Sequence, residues 1–296
     1  MSMTKCSKCL DKAIIRIEWK GKNYCSKHFI LYFLGQVQKV LGNEVRGKVL
    51  VAVSGGKDSA VCLEALTHFN LEISAIHINL GIGSFSEHSL KAAESLCKKL
   101  GIDLEVIDLK KDYGFTFPQI EKMEKGATCE KCGMIKRYLI NKYAFENGYD
   151  FVATGHNLND IVASALNNLA SGSIHFFRGF KPLVKGINEY KLVARIKPLY
   201  FLKEDEISVY AKIKGLPFSK KRCPFAKEAP TEELKKSLNL IEKRRPGILR
   251  KFAYSFVQIE DSLKRERKMR LCEKCGYATV SRICKFCRIV GKIKPN

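Results

Sequence analysis

Lys48-Val49-Leu50-Val51-Ala52-Val53-Ser54-Gly55-Gly56-Lys57-Asp58-Ser59-Ala60-Val61-Cys62-Leu63-Glu64-Ala65-Leu66 is the stretch on which the architecture turns. An apolar β-type run from Lys48 to Val53 stops at two glycines, and an apolar helical pattern takes over from Ala60. Strand, glycine turn, helix is the setting in which backbone N–H groups and the positive end of a helix dipole meet an anion. Lys57 and the hydroxyls of Ser54 and Ser59 are expected to add direct contacts. Ser54, Gly55, Gly56, Lys57, Asp58 and Ser59 are therefore the candidate phosphate-binding loop. It is not a Walker A loop. That pattern puts a glycine five positions before the glycine of its Gly-Lys pair and a Ser or Thr after the lysine. Val51 and Asp58 stand in those places.

Outward from this loop, strand and helix patterns alternate. A helix from His28 to Leu41 precedes it, with Phe29, Phe33, Val37, Val40 and Leu41 at helical spacing. After it, Leu71–Asn79, Leu104–Leu109 and Phe151–Thr154 read as strands, and Ser86–Leu100, Glu130–Asn147 and Leu158–Leu169 as helices. Such alternation predicts an α/β fold, a parallel sheet with helices on both faces. Ligands in sheets of this kind collect at the carboxyl ends of strands. His77 and Ile78 at the end of the second strand are expected to lie against a nucleoside, although a core histidine would read the same way. Thr154-Gly155-His156-Asn157-Leu158-Asn159-Asp160 ends a later strand; Asn157 or Asn159 also reads as an ordinary helix cap.

The chain has 296 residues with 53 Lys and Arg against 30 Asp and Glu, a formal charge of +23. An excess of this size points to a polyanionic partner, since neutralised phosphates release counterions; a general lysine bias is the plain alternative. The excess is uneven. Residues 241–296 carry 16 Lys and Arg against five acids. Hydrophobic residues make up 46%, enough for a packed core. The N-terminus shows no apolar signal segment, and runs such as Phe29–Leu34 are too short to span a bilayer. A soluble, cytoplasmic protein with no membrane contact is expected.

Twelve cysteines would suggest disulfides in a small secreted protein, but ten of them fall in patterns that suit metals. Cys6-x-x-Cys9, fifteen residues, then Cys25-x-x-His28 has the spacing of a four-ligand zinc site. Cys272-x-x-Cys275 with Cys284-x-x-Cys287 makes a second, all-thiolate set. Both saturate a tetrahedral ion, so two structural Zn²⁺ are expected. Cys62 and Cys97 sit among apolar helix residues and read as core. Cys129-x-x-Cys132 opens a long helix without a nearby partner pair, and Lys220-Lys221-Arg222-Cys223-Pro224 supplies a lone cysteine far downstream. Three thiolates on a [4Fe–4S] cluster would leave one iron open to sulfide. A redox disulfide or a persulfide carrier at the same cysteines is equally consistent with the spacing.

The segment Ser54–Ser59 resembles the PP-loop of ATP pyrophosphatases, which split ATP between the α and β phosphates and pass AMP to a substrate oxygen. Over essentially its whole length the chain resembles the tRNA 2-thiouridine synthetases, in the branch with two zinc fingers flanking a PP-loop domain. The likeness is carried by Cys25-Ser26-Lys27-His28-Phe29, the loop itself, Cys129-Glu130-Lys131-Cys132-Gly133-Met134-Ile135-Lys136-Arg137-Tyr138, Thr154-Gly155-His156-Asn157, Arg195-Ile196-Lys197-Pro198-Leu199 and Cys223-Pro224. The resemblance implies a [4Fe–4S] cluster on Cys129, Cys132 and Cys223. It also implies Lys136 and Asp160 near the reacting centre, Mg²⁺-ATP as cosubstrate, a homodimer, and sulfur from a thiocarboxylated carrier protein or from sulfide. Asn159 departs from the family, where an Asp is common, so a paired carboxylate with Asp160 is not expected here.

The resulting expectation is four parts. They are an N-terminal zinc finger (1–30), a PP-loop catalytic domain (31–214), a basic helical tRNA-binding segment carrying the third cluster cysteine (215–270), and a C-terminal zinc ribbon (271–296). The activity expected is adenylation of a tRNA uridine at O2 followed by sulfur transfer to C2, at position 34 or 54. An amidating PP-loop ligase would leave Cys129, Cys132 and Cys223 unexplained, and nothing reads as a glutaminase. A non-catalytic zinc-finger RNA-binding protein would leave the intact loop unexplained. Cytidine thiolation, known in a sister group, fits the terminal zinc modules less well than uridine.

Overall fold

A computed structural model describes residues 5–123, 128–172, 179–228, 231–262 and 269–293. Residues 1–4 and 294–296 of the two cysteine modules, and 229–230 and 263–268 of the basic segment, lie outside the described residues. In chain order, β1 (Ile15–Ile17) and β2 (Lys22–Tyr24) form the hairpin of the N-terminal module, and α1 (Ser26–Leu41) leaves it. The central part runs β3 (Lys48–Ala52), α2 (Lys57–Leu66), β4 (Glu72–Asn79), α3 (Gly83–Leu100) and β5 (Leu104–Asp108). It continues through α4 (Leu109–Tyr113), α5 (Phe117–Met123), α6 (Thr128–Glu146), β6 (Phe151–Thr154) and α7 (Leu158–Ala170). Then come β7 (Leu183–Val184), β8 (Ala194–Ile196), α8 (Glu204–Lys214), α9 (Thr231–Arg244) and α10 (Ile248–Ser262). The C-terminal module holds β9 (Arg270–Leu271), β10 (Ala278–Thr279) and α11 (Lys285–Ile293).

The six-stranded sheet has the order β5-β4-β3-β6-β8-β7. All pairs are parallel except β7 with β8. The period-two alternation of β3 decides what each face buries. Val49, Val51 and Val53 join a core with α1, α2 and α8, while Leu50 packs with α5, α6 and the C-terminal module. Helices thus cover both faces. Cys62 and Cys97 are fully buried in the first of these cores. A third cluster seats α9 and α10 on α7 through Leu158, Ile161, Val162, Leu238, Leu249 and Phe256. Helices α9 and α10 therefore pack on α7, while the stretch around Ser219 runs back along the phosphate loop.

The N-terminal module is latched to this body by a buried polar network. Arg250 lies over the Trp19 ring at 4.2 Å and donates to Tyr32 Oη (3.0 Å) and Gln36 Oε1 (3.2 Å). Tyr32 donates in turn to Glu206 Oε1 at 3.2 Å, and Glu206 Oε2 caps α8 by accepting from Lys203 N. Among the described residues no helix is long and apolar enough to cross a membrane.

Two glycines let the backbone close around the loop. Gly55 has φ +80°, and a Cβ there would collide with the Ser89 backbone of α3, whose Cα lies at 2.7 Å. A Cβ on Gly155 would sit 2.8 Å from the backbone of Asp58 and Ser59. Gly155→Ala should cost about 1–3 kcal/mol by urea denaturation, the usual range for overpacking. Exposed Gly35, in α1 with nothing near, should behave oppositely: Gly35→Ala gains roughly 0.5–1 kcal/mol.

Candidate functional site

Strand order reverses between β3 and β6, and crevices at such switch points hold ligands. The loops leaving these two strands lie against each other there. Ser54–Ser59 is shaped by its own hydroxyls. Ser54 N–H donates to Ser59 Oγ (3.1 Å), Ser59 Oγ donates to the Gly56 carbonyl (2.9 Å), and the two hydroxyls are 3.1 Å apart. Gly56 is the N-cap of α2, so the free N–H groups of that helix open at the loop.

Beside the loop is a cavity of about 270 Å³, lined among others by Ser54, Gly56, His77, Ile78, Lys136 and Lys221. His77 is buried, and burial lowers its pKa, so the ring is neutral. Its Nδ1 lies 2.8 Å from the Val53 carbonyl, which can only accept; Nδ1 therefore carries the proton and Nε2 keeps a lone pair. The histidine fixes the end of β3 while lining the cavity.

Lys57, Asp58, Asp160 and Gly155 stand on the other side of the loop. Lys57 Nζ donates to Ser208 Oγ (2.7 Å) and pairs with Glu204 at 3.6 Å and Asp58 at 3.8 Å. Asp160 closes a capping box on α7 with Asn157 and pairs with Lys235 at 2.5 Å. Asp58 Oδ2 accepts from Asn157 Nδ2 at 3.4 Å, while its buried Oδ1 has no hydrogen-bond partner. Burial pushes the Asp58 carboxyl up to about 6; Lys57 opposes the rise, and Asp160 and Glu204 add to it. Asn159 is buried, donates to Asn239 Oδ1 (2.7 Å) and accepts from Glu204 N (3.1 Å). An aspartate could not make that donation, which accounts for the amide at this position.

Helix α6 carries Cys129, Cys132 and Lys136 at i, i+3 and i+7, one stripe of a helix. Cys132 and Cys223 are half-buried against the same apolar cluster, and Cys129 is exposed. Burial pushes the Cys132 thiol up; Lys136 at its side opposes this, and the neighbouring Cys223 adds to it. Lys136 therefore faces the cavity and Cys132 at once.

Two other groups gather as single-ion sites. The ligand atoms of Cys6, Cys9, Cys25 and His28, and of Cys272, Cys275, Cys284 and Cys287, lie within 4.8 Å of one another in each set. Backbone donors point at the sulfurs, Lys8 N to Cys6 Sγ at 3.4 Å and Cys284 N to Cys272 Sγ at 3.2 Å. Among the described residues no other set draws so close. Cys129, Cys132 and Cys223 thus lack single-ion spacing; a multi-iron cluster, being larger than an ion, needs its thiolates farther apart.

Sequence reasoning missed the way Cys223 reaches the site. Ser219 N–H donates to the Gly55 carbonyl (2.8 Å), and Lys221 Nζ to Ser84 Oγ (3.0 Å), so the segment before Cys223 is tied to the loop and to α3. The only local signal was the basic run before Cys-Pro. Ser86 and Ser89 also line the cavity. Their spacing on the first turns of α3, small residues at i and i+3, is common on helices and did not single them out.

Fold and loop define a protein of the PP-loop class, and the family model for the PP-loop domain matches residues 32–223, ending on Cys223. The tRNA-5-methyluridine(54) 2-sulfurtransferase of Thermus thermophilus is 35% identical over 96% of this chain and 90% of its own. The enzyme of the same name from Pyrococcus horikoshii is 34% identical over 97% and 94%. The solved U34-tRNA thiolase NcsA of Methanococcus maripaludis, with its [4Fe–4S] cluster, superposes with a TM-score of 0.85 at 30% identity, over 99% of this chain and 97% of its own. The chain belongs to this family of PP-loop tRNA 2-sulfurtransferases.

Asp58 gives this site a pH signature. Its folded pKa lies above the unfolded value, so the folded state is penalised as pH rises from about 4 through 6. Asp58→Asn removes the penalty. By chemical denaturation the variant should gain stability over wild type between those pH values and keep the gain at pH 8, while losing activity. An equal difference at all pH values would place the Asp58 proton elsewhere.

Proposed function

We propose that this chain thiolates a tRNA uridine at C2, using ATP to activate O2. The observation that carries the reading is Lys136, which lines the cavity beside the phosphate loop and also flanks Cys132. ATP would place its phosphates on Ser54–Ser59 and the N-terminus of α2, with the adenosine against His77 and Ile78. Mg²⁺ fits beside Asp58, whose buried Oδ1 accepts no hydrogen bond among the described residues, has Lys57 Nζ at 3.8 Å, and is an oxygen ligand of the right kind.

The uridine C2 carbonyl is a poor electrophile. O2 attacks the α phosphorus, pyrophosphate leaves, and O2 becomes part of a good leaving group. A sulfur nucleophile then adds at C2 and AMP departs with the former O2. Lys136 is placed to offset charge that develops at this centre. Asp160 already holds the turn after β6, and its pairing with Lys235 links that turn to α9.

Cys129, Cys132 and Cys223 fit a [4Fe–4S] cluster in number and in softness. Such a cluster supplies an iron with an open position that takes sulfide. Zn²⁺ is the ion proposed for the two tetrahedral sets. The basic stretch 241–296 would hold the tRNA backbone. We further propose position 54 as the target, in line with the Thermus and Pyrococcus relatives, a homodimer as the working unit, and sulfide or a carrier thiocarboxylate as the donor.

The test is nucleoside mass spectrometry of tRNA incubated anaerobically with protein, ATP and sulfide. The expected result is 2-thiolation at position 54, with AMP formed mole for mole. Cys223→Ala should give none while zinc content stays at wild type. Retained thiolation in that variant would remove the cysteine from the mechanism, and label at position 34 would move the target.

A further inference from the structure

Nothing in the reaction uses α5, the short helix between the sheet and α6. It touches both arms of the cysteine site. On one side, Glu121 Oε2 pairs with Lys131 Nζ at 2.8 Å, and Glu121 Oε1 accepts from Thr128 Oγ1 at 2.7 Å. Thr128 is the first residue of α6, and Lys131 stands between Cys129 and Cys132. One carboxylate therefore grips the cysteine-bearing turn at two points. The Lys131 side chain is only 3% exposed. On the other side, Phe117 is buried and meets Phe225 edge-on, ring centres 5.7 Å apart. Phe225 follows Cys223 by two residues across Pro224.

The first turn of a helix has free N–H groups and frays unless something holds it. A cluster needs its thiolates at one fixed spacing, and residues that orient ligands matter almost as much as the ligands. Cys129 and Cys132 ride on such a turn, and Cys223 arrives on an irregular segment more than ninety residues away in sequence. A shared support under both arms is what this geometry requires.

We propose that α5 sets the spacing of the three cysteines, with Glu121 as the positioning residue for Cys129 and Cys132 and Phe117–Phe225 positioning Cys223. The inference rests on the cluster reading above. Removing the Glu121 charge breaks the buried ion pair that fixes Lys131 between Cys129 and Cys132, and so loosens the turn that carries them.

The experiment uses the full chain, loaded anaerobically with ferrous iron and sulfide, as wild type, Glu121→Gln and Phe225→Leu. The readout is the chelator concentration that strips half the iron, with zinc content and ATP affinity measured on the same samples. Each variant should release iron at roughly 10- to 100-fold lower chelator, the usual effect of losing a ligand-orienting partner. Zinc and ATP binding should not change, which separates positioning from general unfolding. Should Glu121→Gln not fold, Phe225→Leu carries the test alone. Wild-type retention of iron in the folded variants would overturn the role of α5. A wild-type protein that takes up no iron would instead overturn the cluster reading, and this inference with it.

Discussion

The structure depends on backbone meeting backbone at the switch point. Gly55 presses on Ser89 of α3, and Gly155 on Asp58 and Ser59, at distances no side chain could share. Those contacts bring the end of β6, the start of α2 and the start of α3 to one point. Everything with chemistry is hung from it. Ser219 ties the Cys223 segment to the Gly55 carbonyl, so the same loop that shapes the anion site also locates the third cysteine.

Helix α6 is the second organising element. Its N-terminal turn carries Cys129 and Cys132, and Lys136 follows one turn on, at the cavity. Its remaining length is the dock for the C-terminal module: Tyr138 stacks on Phe286 at 4.1 Å, and Tyr277 donates to Glu146 at 2.8 Å. Lys285 pairs with Glu130 beside the first cysteine at 3.1 Å. The C-terminal four-cysteine module thereby braces the helix that supplies the site. The N-terminal module acts on the opposite face, through Arg250, Tyr32 and Glu206, on the start of α8, where Glu204 and Ser208 hold Lys57.

Much of this was legible in local pattern. The alternation Val49, Val51, Val53 against Leu50 announces a strand buried on both faces, and the glycine pair announces the loop. C-x-x-C and C-x-x-H spacing announces the two four-residue clusters, because each knuckle brings two candidate ligands together by itself. What stayed hidden depends on distant pairs. Lys57 reads as a phosphate ligand in sequence, but its contacts with Ser208 and Glu204, made across about 150 positions, could not be read there. Asn159 looks like a lost carboxylate, yet its amide is needed to donate to Asn239. β7, β8 and α5 are too short to show a period, and each takes its form from what it packs on.

The central claim is that O2 of the target uridine takes the adenylyl group. Transfer RNA labelled with oxygen-18 at that O2, incubated anaerobically with the protein, ATP and sulfide, tests it directly. The account predicts one labelled oxygen in each AMP released, matched to each thiolated base. Thiolated tRNA accompanied by unlabelled AMP, with the label recovered in water, would contradict it.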